Sequence, residues 1–265
     1  MVEGISIEIL GPLRIAARNQ YSTIGASRVR TLLAVLAFSP GEVVSIDFLI
    51  SELFSEQPSK NPKNALQANM RRLRTSLEAA TGVPGHTLVS TSANGYLLNL
   101  PPDAVDAERF SALAARGAAL VHERPQEATT LLEEALTLWR GLALLDVSGG
   151  LHCQAQLNLL NNQRLGAFED LYEARLLTGS ARSIVNELEQ LTISHPERER
   201  IAILLILALY QTDRQGDALA AFQRIREWLN MELGLEPGKK LRRLQRAILT
   251  QDPSIDSGLL LMETL

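Results

Sequence analysis

Cysteine is almost absent: Cys153 is the single thiol in 265 residues. It cannot close an internal disulfide, and no second cysteine supplies the paired spacing of a zinc site. A reducing cytoplasm is the expected setting. Long hydrophobic runs are missing as well. The most apolar one, IAILLILALY at 201–210, is bracketed by Glu199, Arg200 and Asp213, too closely for the ~20 residues that a bilayer crossing needs. The opening MVEGISIEIL has no basic stretch leading into an apolar core, so no signal peptide is expected. Gly11, Gly25, Gly41 and Gly95 form no phosphate-cradling cluster. His86, His122 and His195 sit near segment ends, as caps or surface residues. No cofactor, no metal and no enzymatic activity are expected.

What is present is ordinary globular composition: 46% hydrophobic, 21% charged and a net charge of −4. Disorder, collagen-like repeats and coiled coils do not look like this. An acidic average argues against general polyanion binding, but it hides an asymmetry. Residues 1–100 hold 9 Lys+Arg and 7 Asp+Glu, net +2, whereas 101–265 hold 17 against 23, net −6.

The two parts also differ in pattern. IEIL (7–10), LRIAA (13–17) and QYSTI (20–24), parted by Gly11-Pro12 and Arg18-Asn19, read as a small antiparallel meander. Three helices follow, beginning near Ser27, Ser45 and Asn61 as N-caps, with Pro62 suited to the first helical position of the third. HTLVST (86–91) and YLLNL (96–100) then read as a hairpin turned by Ala93-Asn94-Gly95. Pro101-Pro102-Asp103 makes a helix-incompatible junction, and Asp106 is placed to cap the next helix. The expected division is a domain over 1–102, a helical domain over 103–253 and a tail over 254–265. In the second domain seven helices joined by short loops run from Asp106 to Gln251. Imperfect similarity between RQGDALAAFQRIREWL and PQEATTLLEEALTLW suggests a tetratricopeptide-like stack. The tail's Leu259, Leu260, Leu261, Met262 and Leu265 are apolar enough to dock.

The third helix is two-faced. At about 100° per residue, Leu66, Met70, Leu73 and Leu77 form one stripe. Asn64, Gln67, Arg71 and Arg74 lie opposite, flanked by Lys63 and Arg72. Residues 61–80 carry four basic side chains against Glu78 alone. Arg pairs bidentately with guanine, and Asn or Gln with adenine, in a DNA major groove, while flanking cations hold phosphates without reading sequence. The competing reading is a solvated helix face. A helix-turn-helix followed by a hairpin weighs against it, because winged-helix proteins present a recognition helix and a wing in that order.

ILGPLRI, SRVRTLLAVLAFSPGEVVSIDFLISELF, NPKNALQANMRRLRTSL and LVSTSANGYLL together resemble the winged-helix domain of the Streptomyces antibiotic regulatory protein family, related to response-regulator output domains. DAVDAERF, EALTLWRG, HPERERI, LALYQTDRQGDALAAFQRIREWLNMELGLEPGKKLRRLQRAIL and QDPSID resemble that family's bacterial transcriptional activator domain. The resemblance implies a mainly α fold, winged helix first and tetratricopeptide-like domain second. It also implies a transcriptional activator of a secondary-metabolite gene cluster. Such a protein binds double-stranded promoter DNA at direct repeats near the −35 region, as a dimer or tandem pair, and recruits RNA polymerase holoenzyme through sigma and other subunits. It would be cytoplasmic and nucleoid-associated, with no membrane contact.

Asn64, Ala65, Leu66, Gln67, Arg72, Leu73 and Arg74 match the family's recognition-helix pattern, and Gly95 and Tyr96 its wing. Base reading is assigned to Asn64, Gln67, Arg71 and Arg74, and phosphate or wing contact to Lys63, Arg72, Thr75, Asn94, Gly95 and Tyr96. The loop where related output domains meet polymerase gives Phe54, Ser55, Glu56, Gln57 and Lys60. Three features depart from the pattern. Arg71 replaces a small polar residue, Phe54 replaces Trp, and Thr91-Ser92-Ala93-Asn94 lacks a wing Arg.

His152-Cys153 pairs an imidazole with a thiol, but adjacent helical residues diverge by about 100° and no third ligand is near, so a structural role is expected. Trp139 and Trp228 are expected as anchors of the helical stack. A rival from another class is a helical-repeat scaffold or ligand sensor with the N-terminal domain as adaptor. A repressor would share the DNA chemistry.

Overall fold

The computed structural model describes residues 4–55, 58–252 and 255. These form two compact units. One is the chain up to Leu113 together with Glu134–Leu165, and the other is Ala114–Glu133 together with the chain from Gly166.

The first unit opens with β1 (Ile5–Glu8), β2 (Arg14–Ala17) and β3 (Gln20–Ser22), antiparallel in the order β1-β2-β3, the expected meander with its first strand two residues earlier than IEIL (7–10). Arg18 and Asn19, between β2 and β3, have φ of 51° and 59°, the left-handed pair that a two-residue hairpin turn of type I′ demands. Three helices follow: α1 (Ser27–Ala37), α2 (Ile46–Leu53) and α3 (Pro62–Thr81). Ser45 caps α2 by accepting from Phe48 N at 3.3 Å. Asn61 caps α3 by accepting from Asn64 N at 3.2 Å, and Gly82, at φ 72°, ends it. Ser27 does not cap α1. It is the first helical residue, and Ala26 precedes it without a side-chain bond.

The expected strand from His86 starts late. Gly85–Leu88 form a single helical turn, α4, because the Pro84 carbonyl accepts from Thr87 N and Leu88 N. β5 is Val89–Ser92 and β6 is Gly95–Leu98. A strand the sequence pattern did not show, β4 (Val43–Ser45), completes a sheet of order β4-β6-β5. Seven helices follow a 3-10 turn at Pro102–Ala104: α5 (Asp106–Leu120), α6 (Pro125–Thr137), α7 (Leu151–Leu177), α8 (Ala181–Ser194), α9 (Glu199–Gln211), α10 (Gln215–Leu233) and α11 (Lys239–Thr250). No helix among the described residues is long and apolar enough to cross a membrane.

Asp106, expected as a helix cap, does something else. Its buried carboxylate accepts from Ile9 N at 2.7 Å and Leu10 N at 3.0 Å, with Arg140 Nη2 at 3.7 Å. It thereby satisfies two backbone donors just beyond β1. Arg140 lies outside α6, its N–H donating to the Leu10 carbonyl at 2.8 Å and its guanidinium pairing with Glu8 at 3.2 Å. Glu52 plays the matching part for α7: its carboxylate accepts from His152 N at 3.1 Å and Cys153 N at 3.0 Å. The first turn of α7 is therefore bound to α2, although it follows Glu52 by about a hundred residues. The His152 ring packs edge-on to Phe48 at 4.8 Å, and burial pushes the Cys153 thiol up to about 11. Both side chains are taken up in packing. Trp139 is buried and edge-on to Phe110 at 5.4 Å.

In the second unit α9 is the axis. Every residue from Ile201 to Leu209 is buried, against Ile184, Val185 and Leu188 of α8, Phe222, Ile225 and Leu229 of α10, and Leu241, Leu244 and Ile248 of α11. Trp228 packs on the edge of this core, and Ile255 is buried within it. The other apolar residues of the tail lie outside the described residues.

Asp106→Ala leaves two buried N–H groups without acceptors, at roughly 1–3 kcal/mol each, and urea denaturation should read that loss. Burial raises the Asp106 carboxyl to about 6, against the pull of Ile9 N–H, Leu10 N–H and Arg140. The folded chain therefore binds the proton more tightly than the unfolded chain. This contribution to stability is complete below pH 3.8 and is lost as pH rises through about 6. Asp106→Asn should flatten the dependence of stability on pH in that window.

Candidate nucleic-acid interface

The geometry of α3 follows from its sequence. Leu66, Met70, Leu73 and Leu77 are all buried, at roughly 1.5–3 kcal/mol each, and Asn69 on the same side donates to the Ala65 carbonyl at 2.9 Å. That stripe packs among α1, α2 and β2 and sets the rotation of the helix. Lys63, Asn64, Gln67, Arg71, Arg72 and Thr75 are consequently exposed. Among the described residues Lys63, Arg71 and Arg72 form no ion pair. Glu78, the one acid of the helix, is drawn away, accepting from Gly85 N at 3.2 Å. Thr75 donates to the Arg71 carbonyl at 3.1 Å.

Arg74 stands apart from the other expected base readers. Its Nε donates to the Val89 carbonyl at 2.9 Å, its Nη2 to Thr91 Oγ1 at 2.8 Å, and the guanidinium lies 5.8 Å from the centre of the Tyr96 ring. It ties α3 to β5 and β6. Beneath it, Gly85 passes so close to the Arg74 carbonyl that a Cβ would overlap it. α3, the α4 turn and the wing are thus joined at one point.

The wing residues divide in the same way. Ser92 pairs with Gly95, so the turn is the two residues Ala93-Asn94, and neither has positive φ. Gly95 is therefore not there for a left-handed turn. It is buried, and a Cβ on it would strike the Val44 carbonyl. Tyr96 is 7% exposed, so both residues build the wing and offer little to a ligand. Asn94 has an exposed side chain, while its carbonyl accepts from Ile46 N at 3.0 Å, fastening the turn to the start of α2.

Of the loop residues, Phe54 is buried, with Arg28 5.1 Å above its ring, and it fills core rather than surface. Ser55 and Lys60 are exposed, and Glu56 and Gln57 lie outside the described residues. Sequence reasoning missed Thr91, whose only signal was a hydroxyl on the strand facing Arg74, and Val89, which acts through its carbonyl.

Residues 24–98 match the family described as "transcriptional regulatory protein, C terminal", and residues 105–249 match the bacterial transcriptional activator domain. The chain is 42% identical to the transcriptional regulator RedD of Streptomyces coelicolor, over 94% of this chain and 71% of RedD. It is 34% identical to the regulatory protein DnrI of Streptomyces peucetius, over 95% and 94%. The chain belongs to the Streptomyces antibiotic regulatory protein family. The solved structure of Mycobacterium tuberculosis EmbR in complex with a low-affinity phosphopeptide is similar with a TM-score of 0.89 at 29% identity, covering 98% of this chain and 71% of EmbR. As a family member this chain is a DNA-binding transcriptional activator, not an enzyme, with a winged helix followed by a helical domain.

Two substitutions test the junction between helix and wing. Thr91→Val keeps the strand-favouring branch but removes the Arg74 acceptor, and should cost about 1 kcal/mol in chemical denaturation. Gly95→Ala forces β4 and β6 apart and should cost roughly 1–3 kcal/mol, with a lower melting temperature as the readout.

Proposed function

We propose that this regulator inserts α3 into the DNA major groove, with Asn64, Gln67 and Arg71 reading base edges. The observation that carries this reading is the exposure of these three side chains on one face of a helix whose opposite face is locked in the core. Gln and Asn suit adenine and Arg suits guanine. Lys63, Arg72 and Thr75 flank them as phosphate contacts, and the wing turn at Asn94 lies against the backbone. Arg74, with Gly95 and Tyr96, serves this interface by holding helix and wing in a fixed relation.

In the same reading the protein binds direct repeats as a dimer or tandem pair, with adjacent winged helices centred about 10–11 base pairs apart. It activates a secondary-metabolite gene cluster in the cytoplasm by recruiting RNA polymerase. Residues 1–102 provide recognition and residues 103–253 activation. The exposed Ser55 and Lys60, with the intervening loop, form the polymerase contact without Phe54. What supports the pathway assignment is the family and its similarity to RedD and DnrI.

Gln67→Ala and Arg71→Ala should each cost about 1–3 kcal/mol on a cognate repeat and relax specificity at one position. Lys63→Ala should weaken all sequences alike and make the salt dependence shallower by about one unit of slope. Mobility-shift titrations on matched and scrambled repeats read both effects. Equal affinity of Gln67→Ala, Arg71→Ala and wild type for the matched site would remove the base-reading assignment. A Ser55→Ala/Lys60→Ala variant should bind DNA normally yet transcribe poorly with purified polymerase.

A further inference from the structure

The second unit spans 114–133 and 166–265 and carries 14 Lys+Arg against 18 Asp+Glu. Five of those 14 basic residues fall within the 12 residues of α11, which contain no acid. The helix is sharply two-sided. Leu241, Leu244, Ala247 and Ile248 are buried, while Lys239, Lys240, Arg242, Arg243 and Arg246 are exposed. At about 100° per residue, Lys239, Arg242, Arg243 and Arg246 share an arc of about 100°.

Local helix energetics oppose this arrangement. Lys239 and Arg243, and Arg242 and Arg246, are like charges four residues apart, which repel on a helix surface. Lys239 and Lys240 occupy the first turn, where the helix dipole disfavours cations. Glu236 is held in a bidentate pair by Arg226 at 2.8 and 3.1 Å, and Glu199 accepts from Gly238 N at 2.8 Å. A face kept only for solubility would interleave signs. This one places Lys239, Arg242 and Arg246 in solvent on a helix without an acid, which suits an anionic partner.

The geometry points to the sugar-phosphate backbone of DNA: we propose that α11 is a second, sequence-independent contact of this regulator with its DNA. Lys239 to Arg246 rises about 10 Å, a length over which duplex DNA offers about six phosphates. A protein partner would need a central aromatic or aliphatic anchor on this face. Its one exposed apolar side chain, Leu249, sits at the edge of the arc in the last turn. The proposal rests on the reading of the chain as DNA-binding and extends it to the acidic half of the sequence.

The test uses the full chain with Lys239→Ala, Arg242→Ala and Arg246→Ala combined, and fluorescence anisotropy on a long duplex carrying the matched repeats, titrated across salt concentrations. Affinity should fall at least about tenfold near 0.1 M salt, equally for matched and scrambled DNA. The slope of log affinity against log salt should become shallower by about 0.9 for each lost contact. Lys239→Arg, Arg242→Lys and Arg246→Lys should restore both. Should the triple alanine variant melt early, Arg246→Ala alone should still change the slope by about 0.9. Wild-type affinity and slope would overturn the proposal, and so would normal DNA binding with lost transcription, which would make α11 a protein-docking face. Failure of the base-reading assignment would show separately, as undiminished discrimination by Gln67→Ala and Arg71→Ala.

Discussion

The whole interface depends on the burial of Leu66, Met70, Leu73 and Leu77 along one side of α3. Intrinsic propensity differs by less than ~1 kcal/mol per residue, whereas each buried side chain contributes more than that. The stripe therefore decides which way the helix faces. Once it is locked, Asn64, Gln67 and Arg71 have no choice but solvent, or whatever replaces solvent. The Asn61 cap and Pro62 fix where the helix starts, and so which turn leads.

A recognition helix and a wing act together only if their spacing is constant. Arg74 supplies that constraint through Val89, Thr91 and Tyr96, and Gly85 and Gly95 permit the close backbone approaches around it. The same logic recurs away from the interface. Asp106 and Glu52 each place a buried carboxylate on two backbone N–H groups, binding the start of α5 and of α7 to the winged-helix unit. These side chains connect distant parts of the chain, so the compact unit does not end where the wing ends.

Net charge is a poor guide to this molecule because nine of its 26 Lys and Arg lie on two helices, α3 and α11, against a single acid, Glu78. In both, an apolar stripe faces inward and like charges are left together outside. An acidic whole with two basic faces limits indiscriminate binding to polyanions while leaving defined surfaces for an anionic partner.

Amphipathic period, the Asn61-Pro62 start and the Gly82 stop were legible in the sequence, because they are local: a helix of 20 residues writes its own pattern. The meander, the order of the helices and the polar face of α3 were legible for the same reason. β4 was not, since three residues become a strand only by pairing with β6, about fifty residues later. Nor was the duty of Arg74, which shares a face with Gln67 and Arg71 but stands where β5 offers it a carbonyl and a hydroxyl. Asp106 looked like a helix cap until the chain brought Ile9 and Leu10 to it, and Tyr96 and Phe54 looked like contacts until packing covered them. The sequence by itself determined the two-sided pattern of α3 and with it which of that helix's side chains face outward. The tertiary structure decided which of those were already engaged, because hydrogen bonds and burial across the fold depend on neighbours that no local pattern names.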